Sequence, residues 1–411
     1  MFKEIKKCRV CGNSNLVEIL DLGNQFLTGI FPKKRDGVKN QYPLKLVKCH
    51  GKQNSKCCNL VQLKHNQDYE KMFSSNYGYK SSLNDSMITH LKSKITNILK
   101  NYKLESGDIV IDIGSNDATS LSFYSKKFKR IGFDPIGEKF KNKYKDMLLI
   151  PNFFNFENYN KVEKKKAKII TSFSMFYDVE DPIHFCNDIS KVIDKKEGIW
   201  ILEQSYMPTM LDKTSYDTIC HEHLTYYSLT QIDWIVKKCN LRIIDFETNK
   251  VNGGSFSITV CHQENKKYEV KNIIKKILNK EKKYKDMTIF KKFAKNVLNQ
   301  KIKLKNILTE LKTKNFSISA LGASTKGNVI LQYCDLDSSI INYVGEVNKD
   351  KFSCYTPGTY IPIISETDLL KKNPDYIVIL PWHFKDFFLS SSKFKNRNLI
   401  FPLPKIEIIR T

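Results

Sequence analysis

From Asp108 onward the apolar residues fall in short unbroken blocks: DIVIDIG (108–114), KRIGFD (129–134), AKIITSF (167–173) and GIWILEQ (198–204). Between them lie longer polar stretches with helical spacing, as in HLKSKITNILKNY just upstream, where the spacing predicts a helix from Met87 to Asn101. Such alternation of strand and helix argues for a mostly parallel sheet covered by helices on both faces. LRIIDFE and GGSFSITV, joined through TNKVN, read as an antiparallel pair that closes this sheet. Residues 265 to about 314 are helical and lysine-rich, the pattern of a solvated helix pair or a connector. A second alternation follows it, through FSISALGASTKG, IINYVGEV, YIVILPW and LIFPLP. The first 70 residues differ. They carry only short strand-like runs (LVEILDL, PLKLVKC, NLVQL) among cysteines, the signature of a small appendage that needs help to fold. The expected division is 1–70, 71–264 and 265–411, an α/β chain with two such domains and one small module.

Composition refines this picture in two ways. At 411 residues a single core is too small a container, so two or three domains are expected. The formal charge is +25, which draws nucleic acid, anionic membrane or phosphorylated ligands. The lysines are spread along the chain with many Asn and Ile, a bias that A/T-rich coding also produces, so an anionic small substrate is favoured over nucleic acid. MFKEIKKCRVCG has no apolar run after its basic residues, and no stretch approaches the roughly 20 apolar residues of a membrane span. A cytoplasmic location is therefore expected, where disulfides are disfavoured.

Eleven cysteines then need another use. Cys8-x2-Cys11 is a knuckle with the bite of a zinc half-site, and Cys49 with the Cys57–Cys58 pair supplies a second half. Only one of the paired cysteines fits a four-ligand site, and His50 is a substitute. Cys186, Cys239, Cys261, Cys334 and Cys354 show no pairing pattern and read as buried apolar fillers.

DIVIDIGSND puts Asp112 and Gly114 at the end of the first long strand, followed by Ser115, Asn116 and Asp117, which can cap a helix or bond a ligand. The stretch is neither GxGxxG nor a P-loop. The next strand ends in IGFDP, where Asp134 can accept both hydroxyls of an adenosine ribose. Together they point to S-adenosylmethionine (SAM) rather than a dinucleotide, although a strand-end aspartate is also a common helix cap. NFF (152–154), with Phe153 and Phe154, and SFSMFYDVEDP, opening with Ser172 and Phe173, can wall the adenine and the methionine end.

TSYDTICHEHLTYYS (214–228) follows the strand GIWILEQ and hangs over the carboxyl edge of the sheet, where open α/β sheets bind ligands. A zincin needs HExxH, but Thr225 stands at the second histidine position after His221 and Glu222. Three readings stay open: His221 and His223 as a chelating HxH, histidines satisfied by carbonyls in a lid, or a general base with a carboxylate partner.

Taken together, CRVCG, PLKLVKC, CNLVQLKH, SSNYGYKSS, DIGSND, SMFYDVEDP, YDTICHEHLTYYS, NGGSF, ALGASTKGN and TPGTYIPI resemble, in order and over essentially the whole chain, the sugar C-methyltransferases, which include the 3-C-methyltransferases of deoxysugar pathways. The resemblance implies an N-terminal zinc module, a SAM-binding Rossmann-like domain, and a C-terminal Rossmann-like domain that helps hold a nucleotide sugar. It implies Cys8, Cys11, Cys49 and Cys58 as zinc ligands, with Cys57 a rival. It further implies His223 as the base supported by Glu222, and Tyr77 or Tyr79 as an active-site phenol. Two positions depart from the family: Cys220 replaces a tyrosine, and Asn116-Asp117-Ala118 replaces NDG.

The residues suit that chemistry, because a carbon beside a ketone is acidic enough for an imidazole to deprotonate, giving an enolate that a methyl donor can trap. The expected substrate is a nucleotide-linked 4-ketosugar methylated at C3, whose diphosphate suits a basic chain. In GASTKGN the Lys326 side chain and the N–H groups of Ser324 and Thr325 stand at a helix start that favours phosphate, with Asn328 one turn on; a plain strand-to-helix turn is the other reading. TPGT (356–359) is a turn from its Pro and Gly. Methylation of a sugar oxygen or nitrogen and a non-catalytic nucleotide or nucleic-acid binder are the competing functions.

Overall fold

The computed structural model describes residues 2–35, 37, 40–51, 57–66, 72 and 80–411. Leu16–Phe26 (β1), Gln41–Cys49 (β2) and Val61–Leu63 (β3) pair antiparallel, and the strand Thr225–Tyr226, just past the HEH triplet, completes their sheet against β3. The N-terminal region is thus no appendage, which corrects the sequence reading. Leu44, Leu46, Val61 and Leu63 share a core with the C-terminal half, whereas Cys8, Val10, Cys49, Cys58 and Leu60 pack into the core of the middle sheet. A module this small cannot bury enough apolar surface alone, and the wedge between two larger bodies supplies it.

The helix α1, Asp85–Asn101, starts where the Asn84 side chain accepts the Ser86 N–H, and it buries Leu91, Lys94, Ile95 and Ile98 along one stripe. After it come Ile109–Ile113 (β4), Lys129–Phe133 (β5), Leu148–Ile150 (β6), Ile169–Phe173 (β7), Ile199–Ser205 (β8), Leu241–Asn249 (β9) and Ser255–His262 (β10). They form one sheet in the order β9-β10-β8-β7-β4-β5-β6, parallel except at β10, which runs antiparallel to both neighbours. All five residues of β4 are buried, as the unbroken apolar block requires of a central strand. The chain order reverses between β4 and β7. Their carboxyl ends therefore diverge around a crevice.

The lysine-rich segment is a helix pair, Asn272–Glu281 (α2) and Met287–Thr313 (α3). It is more than a connector, since α3 buries Phe290, Phe293, Val297, Leu304 and Leu308. Beyond it Ile318–Leu321 (β11) leads into the helix α4, Thr325–Tyr333. Then come Val344–Glu346 (β12), Ile363–Ser365 (β13), Tyr376–Ile379 (β14), Asn398–Phe401 (β15) and Glu407–Arg410 (β16). This second sheet has the order β13-β12-β11-β14-β15-β16, again reversing beside its first strand, with only β16 antiparallel. Both sheets are Rossmann-like, as expected. No helix among the described residues is long and apolar enough to cross a membrane.

Candidate active site and zinc centre

A cleft of about 360 Å³ opens at the carboxyl ends of β4, β5 and β7. Gly114 turns the chain at φ +73°, and a side chain there would press on Met175 at 3.1 Å. Asp134 organises the loop that follows: its carboxylate accepts the N–H of Asn116 at 2.8 Å and of Ile136 at 2.9 Å. Burial raises its pKa against the pull of those two bonds. Each oxygen still has a lone pair for a hydroxyl. Asp112 accepts the Thr171 hydroxyl at 2.6 Å, and burial lifts it to about 7. Asp112, Gly114, Ser115 and Asn116 line the cleft on one side, and Phe153, Phe154 and Phe173 give it apolar walls.

Two expected lining residues are turned elsewhere. Ser172 is fully buried and accepts the Trp200 indole N–H at 2.9 Å, while Asp117 accepts the Ser82 N–H at 3.0 Å and the Thr119 hydroxyl at 2.6 Å. The helix α1 adds Met87 and Leu91 to the cleft. It is pinned by the buried Glu203 at the end of β8, which accepts His90 Nε2 at 2.5 Å, Lys94 Nζ at 2.8 Å and Asn249 Nδ2 at 2.9 Å. One carboxylate, Asp134, for the ribose hydroxyls and aromatic walls for a purine fit SAM. Asp134→Ala is expected to weaken SAM about 10- to 100-fold, the worth of a hydrogen bond to a charged acceptor, in a calorimetric titration.

The HEH segment stands beside this cleft. His223 Nδ1 donates to the Thr218 carbonyl at 2.7 Å, which leaves Nε2 with its lone pair. Its ring lies 4.1 Å from that of Tyr177, whose carbonyl accepts the Thr225 hydroxyl at 3.0 Å. Burial, and next the Lys326 charge, lower His223 to about 4, so the ring is neutral at pH 7. His221 points the other way. It donates from Nε2 to the Tyr42 carbonyl at 3.2 Å and is buried against the N-terminal sheet, so the two histidines do not converge on a shared ion. That corrects both the chelating reading and the placing of His221 among catalytic candidates. Glu222 is buried, and burial raises its pKa. Its Oε1 lies 2.6 Å from where a side chain would begin at Gly29, so the N-terminal module leaves room for it only because residue 29 is glycine.

The C-terminal sheet brings the start of α4 to the same place. Ser324 caps the helix by accepting the Gly327 N–H at 3.1 Å, and Thr325 lies beside Gly29. Lys326 Nζ donates to the Asn252 carbonyl at 2.7 Å, tying α4 to the NGG turn, and Lys213 reaches the next carbonyl, Gly253, at 2.7 Å. Asn328 is not presented to a ligand: it is fully buried and donates to the Thr28 carbonyl at 2.7 Å. His383, which burial and then the Lys326 charge lower to about 3, joins this cluster without any sequence signal to announce it. Tyr77 and Tyr79 lie outside the described residues.

Five thiols gather at the tip of β2. Cys8, Cys11, Cys49 and Cys58 have all four sulfurs within 4.8 Å of one another, and Cys57 Sγ lies 3.1 Å from Cys49 Sγ. The Cys8–Cys58 and Cys11–Cys49 separations, 3.5 and 3.4 Å, are close to the edge of a tetrahedron of about 3.8 Å that zinc–sulfur bonds of about 2.3 Å define. The donor set and its spacing fit a structural zinc ion. Cys186, Cys239, Cys261, Cys334 and Cys354 are buried as expected, and so is Cys220.

Comparison with known proteins follows the same three-part division. Family profiles match a zinc binding domain over residues 8–73, a methyltransferase domain over 85–245 and a C-methyltransferase C-terminal domain over 250–404. C-methyltransferase NovU of Streptomyces niveus is 24% identical over 419 residues, spanning 99% of this chain and 97% of its own. Among solved structures, a SAM-dependent methyltransferase from Clostridium acetobutylicum covers 43% of this chain and 92% of its own at 11% identity and TM-score 0.34. Magnesium protoporphyrin IX methyltransferase from Synechocystis, with S-adenosylhomocysteine bound, covers 47% and 92% at 10% identity and TM-score 0.34. With the three profiles in this order along nearly the whole length, and a C-methyltransferase similar to it from end to end, the chain is a SAM-dependent methyltransferase that carries a zinc binding domain and a C-methyltransferase C-terminal domain.

Proposed function

We propose that the chain methylates a carbon, C3, of a nucleotide-linked 4-ketosugar, with His223 as the base that forms the enolate. The observation that carries this reading is the fixed tautomer of His223: Nδ1 is committed to Thr218, and the basic Nε2 belongs to a ring tilted against that of Tyr177, the neighbour of the cleft-lining Asp178. When bound, SAM supplies an electrophilic methyl group on a sulfonium. The protein's own part is to hold a ketone beside Nε2, exclude water and accept the proton of the adjacent carbon. Lys326 and Lys213, drawn to the NGG turn, suit the diphosphate of the substrate, which would bridge the middle and C-terminal sheets. In this assignment residues 1–70 carry zinc, 71–264 carry SAM, and 265–411 help to hold the nucleotide sugar.

A panel of nucleotide-diphosphate 4-ketosugars incubated with enzyme and SAM tests the reading by mass spectrometry. One member should gain a single CH2. Incubation of that sugar without SAM in deuterium oxide should exchange the C3 hydrogen. A gain of CH2 without exchange would point to a methylated hydroxyl instead and remove the carbon-acid step.

A further inference from the structure

The short turn Tyr216–Thr218 runs into the HEH segment, and its last carbonyl is the one that accepts His223 Nδ1 at 2.7 Å. The two side chains just before that carbonyl are seated in the C-terminal half. The Tyr216 hydroxyl lies 3.2 Å from Cys334 Sγ, just past α4, and its ring meets that of Tyr333 edge-on at 5.3 Å. Asp217 is fully buried, and its Oδ2 accepts the indole N–H of Trp382 at 2.9 Å. An indole N–H can only donate, so this pair needs an acceptor at residue 217. Trp382 opens the turn Trp382–Phe384 beyond β14, and close contacts fix it from two sides. Gly322, at φ +87° past β11, has Pro381 2.6 Å from where a side chain would begin, and Gly253, at φ +91° in the NGG turn, has the edge of the indole at 3.1 Å. The ring is only 4% exposed, which rules it out as a platform for a nucleotide base.

We propose that Trp382 and Asp217 are positioning residues: their hydrogen bond holds the turn so that the Thr218 carbonyl faces His223 Nδ1, and this decides which nitrogen of the base is free. The role rests on the reading of His223 as the base, and it gives the C-terminal domain a part in the proton transfer besides holding the nucleotide sugar. In a neutral imidazole the proton sits on the nitrogen whose partner accepts it. Thr218 is that partner, and Asp217 is the residue before it in the chain. When the Trp382 bond is lost, the turn is free to rotate its carbonyl away. The proton then divides between the two nitrogens, and the fraction of rings with a bare, correctly aimed Nε2 falls. A misplacement of about 1 Å far from the chemistry costs about 10²-fold in rate.

Three variants of the full-length zinc protein test this. Trp382→Phe keeps a ring against Gly253 but removes the donor, Asp217→Leu removes the acceptor, and Asp217→Asn keeps a carbonyl that can accept the indole N–H. With nitrogen-15-labelled histidine, and His223→Ala to assign the signals, the wild-type NMR spectrum should show Nδ1 protonated and Nε2 bare. In Trp382→Phe and Asp217→Leu the two nitrogens should move toward an average of both tautomers. In the same two proteins kcat should fall about 10- to 100-fold, with the KM of the sugar and the affinity for SAM unchanged. Asp217→Asn should keep the wild-type tautomer and most of kcat. Nitrogen signals that stay at their wild-type positions in Trp382→Phe and Asp217→Leu overturn the proposal, and so does a rise in KM alone. The nitrogen spectrum needs no substrate, so it tests the positioning by itself, whereas the base reading falls separately if His223→Ala keeps its turnover.

Discussion

Replacing His223 with alanine is expected to lower kcat about 10²- to 10⁴-fold, the range for loss of a general base, with SAM affinity unchanged. SAM affinity should survive because the cleft is lined by the β4, β5 and β7 loops and α1, and His223 is not among its lining residues. Stopped turnover with intact calorimetric SAM binding is the expected pair of results, and retained turnover would remove His223 from the mechanism. The acid limb carries further information. A ring lowered to about 4 stays neutral, and so competent, from pH 7 down, and becomes protonated only as pH falls through that value. The His223 limb of kcat/KM, which reports the free enzyme, is accordingly expected near pH 4. A base that weak is poorly matched to a carbon acid, but part of the lowering comes from the Lys326 charge. An anion bound to Lys326 would cancel that charge and strengthen the base. The limb in kcat, which reports the bound enzyme, should therefore lie at higher pH than the limb in kcat/KM. Coincident limbs would separate Lys326 from the substrate.

What could be read from the sequence here follows from how local each signal is. β4, β5, β7 and β8 were legible because a strand buried on both faces must be an unbroken apolar block, and Asp134 was legible because it ends one. β6 and β13 were not, since each is three residues long and borders a proline, Pro151 or Pro362, that reads as a break. Ser172 was misplaced because successive side chains of a strand alternate faces, and a strand-end serine reads alike whichever face it takes. Asn328 was misplaced because its register on α4 aims it at Thr28, a partner 300 residues away. The wedge position of the N-terminal module was hidden for the same reason, since its pairing partner, Thr225–Tyr226, is a two-residue strand.

That pairing leads to the largest expected effect on the whole molecule, loss of zinc. Structural zinc sites of this kind contribute about 10–16 kcal/mol of apparent binding free energy, which becomes folding free energy where the site is absent from the unfolded chain. Here four thiols join the Cys8–Cys11 turn, the end of β2 and the approach to β3. Without the ion those segments lose their cross-link, and thiolates left close together inside a buried core repel. The damage does not stay local. β3 pairs Gln62 with Thr225 and Val61 with Tyr226, directly after the HEH triplet, and the Thr28–Gly29 turn seats Glu222 and is held by Asn328. Chelation is therefore expected to abolish methyl transfer and to lower the melting temperature together, and added zinc should restore both. Loss of zinc with activity intact would disconnect the module from the site. Cysteine variants sharpen the test. Cys57 is 3.1 Å from Cys49 but lies outside the set of four whose sulfurs are all within 4.8 Å, so Cys57→Ser should keep one zinc per chain and nearly full activity. Cys58→Ser should lose the metal, the fold of the module and turnover. The opposite outcome, zinc retained in Cys58→Ser and lost in Cys57→Ser, would exchange the two ligands and leave the coupling between zinc and His223 standing.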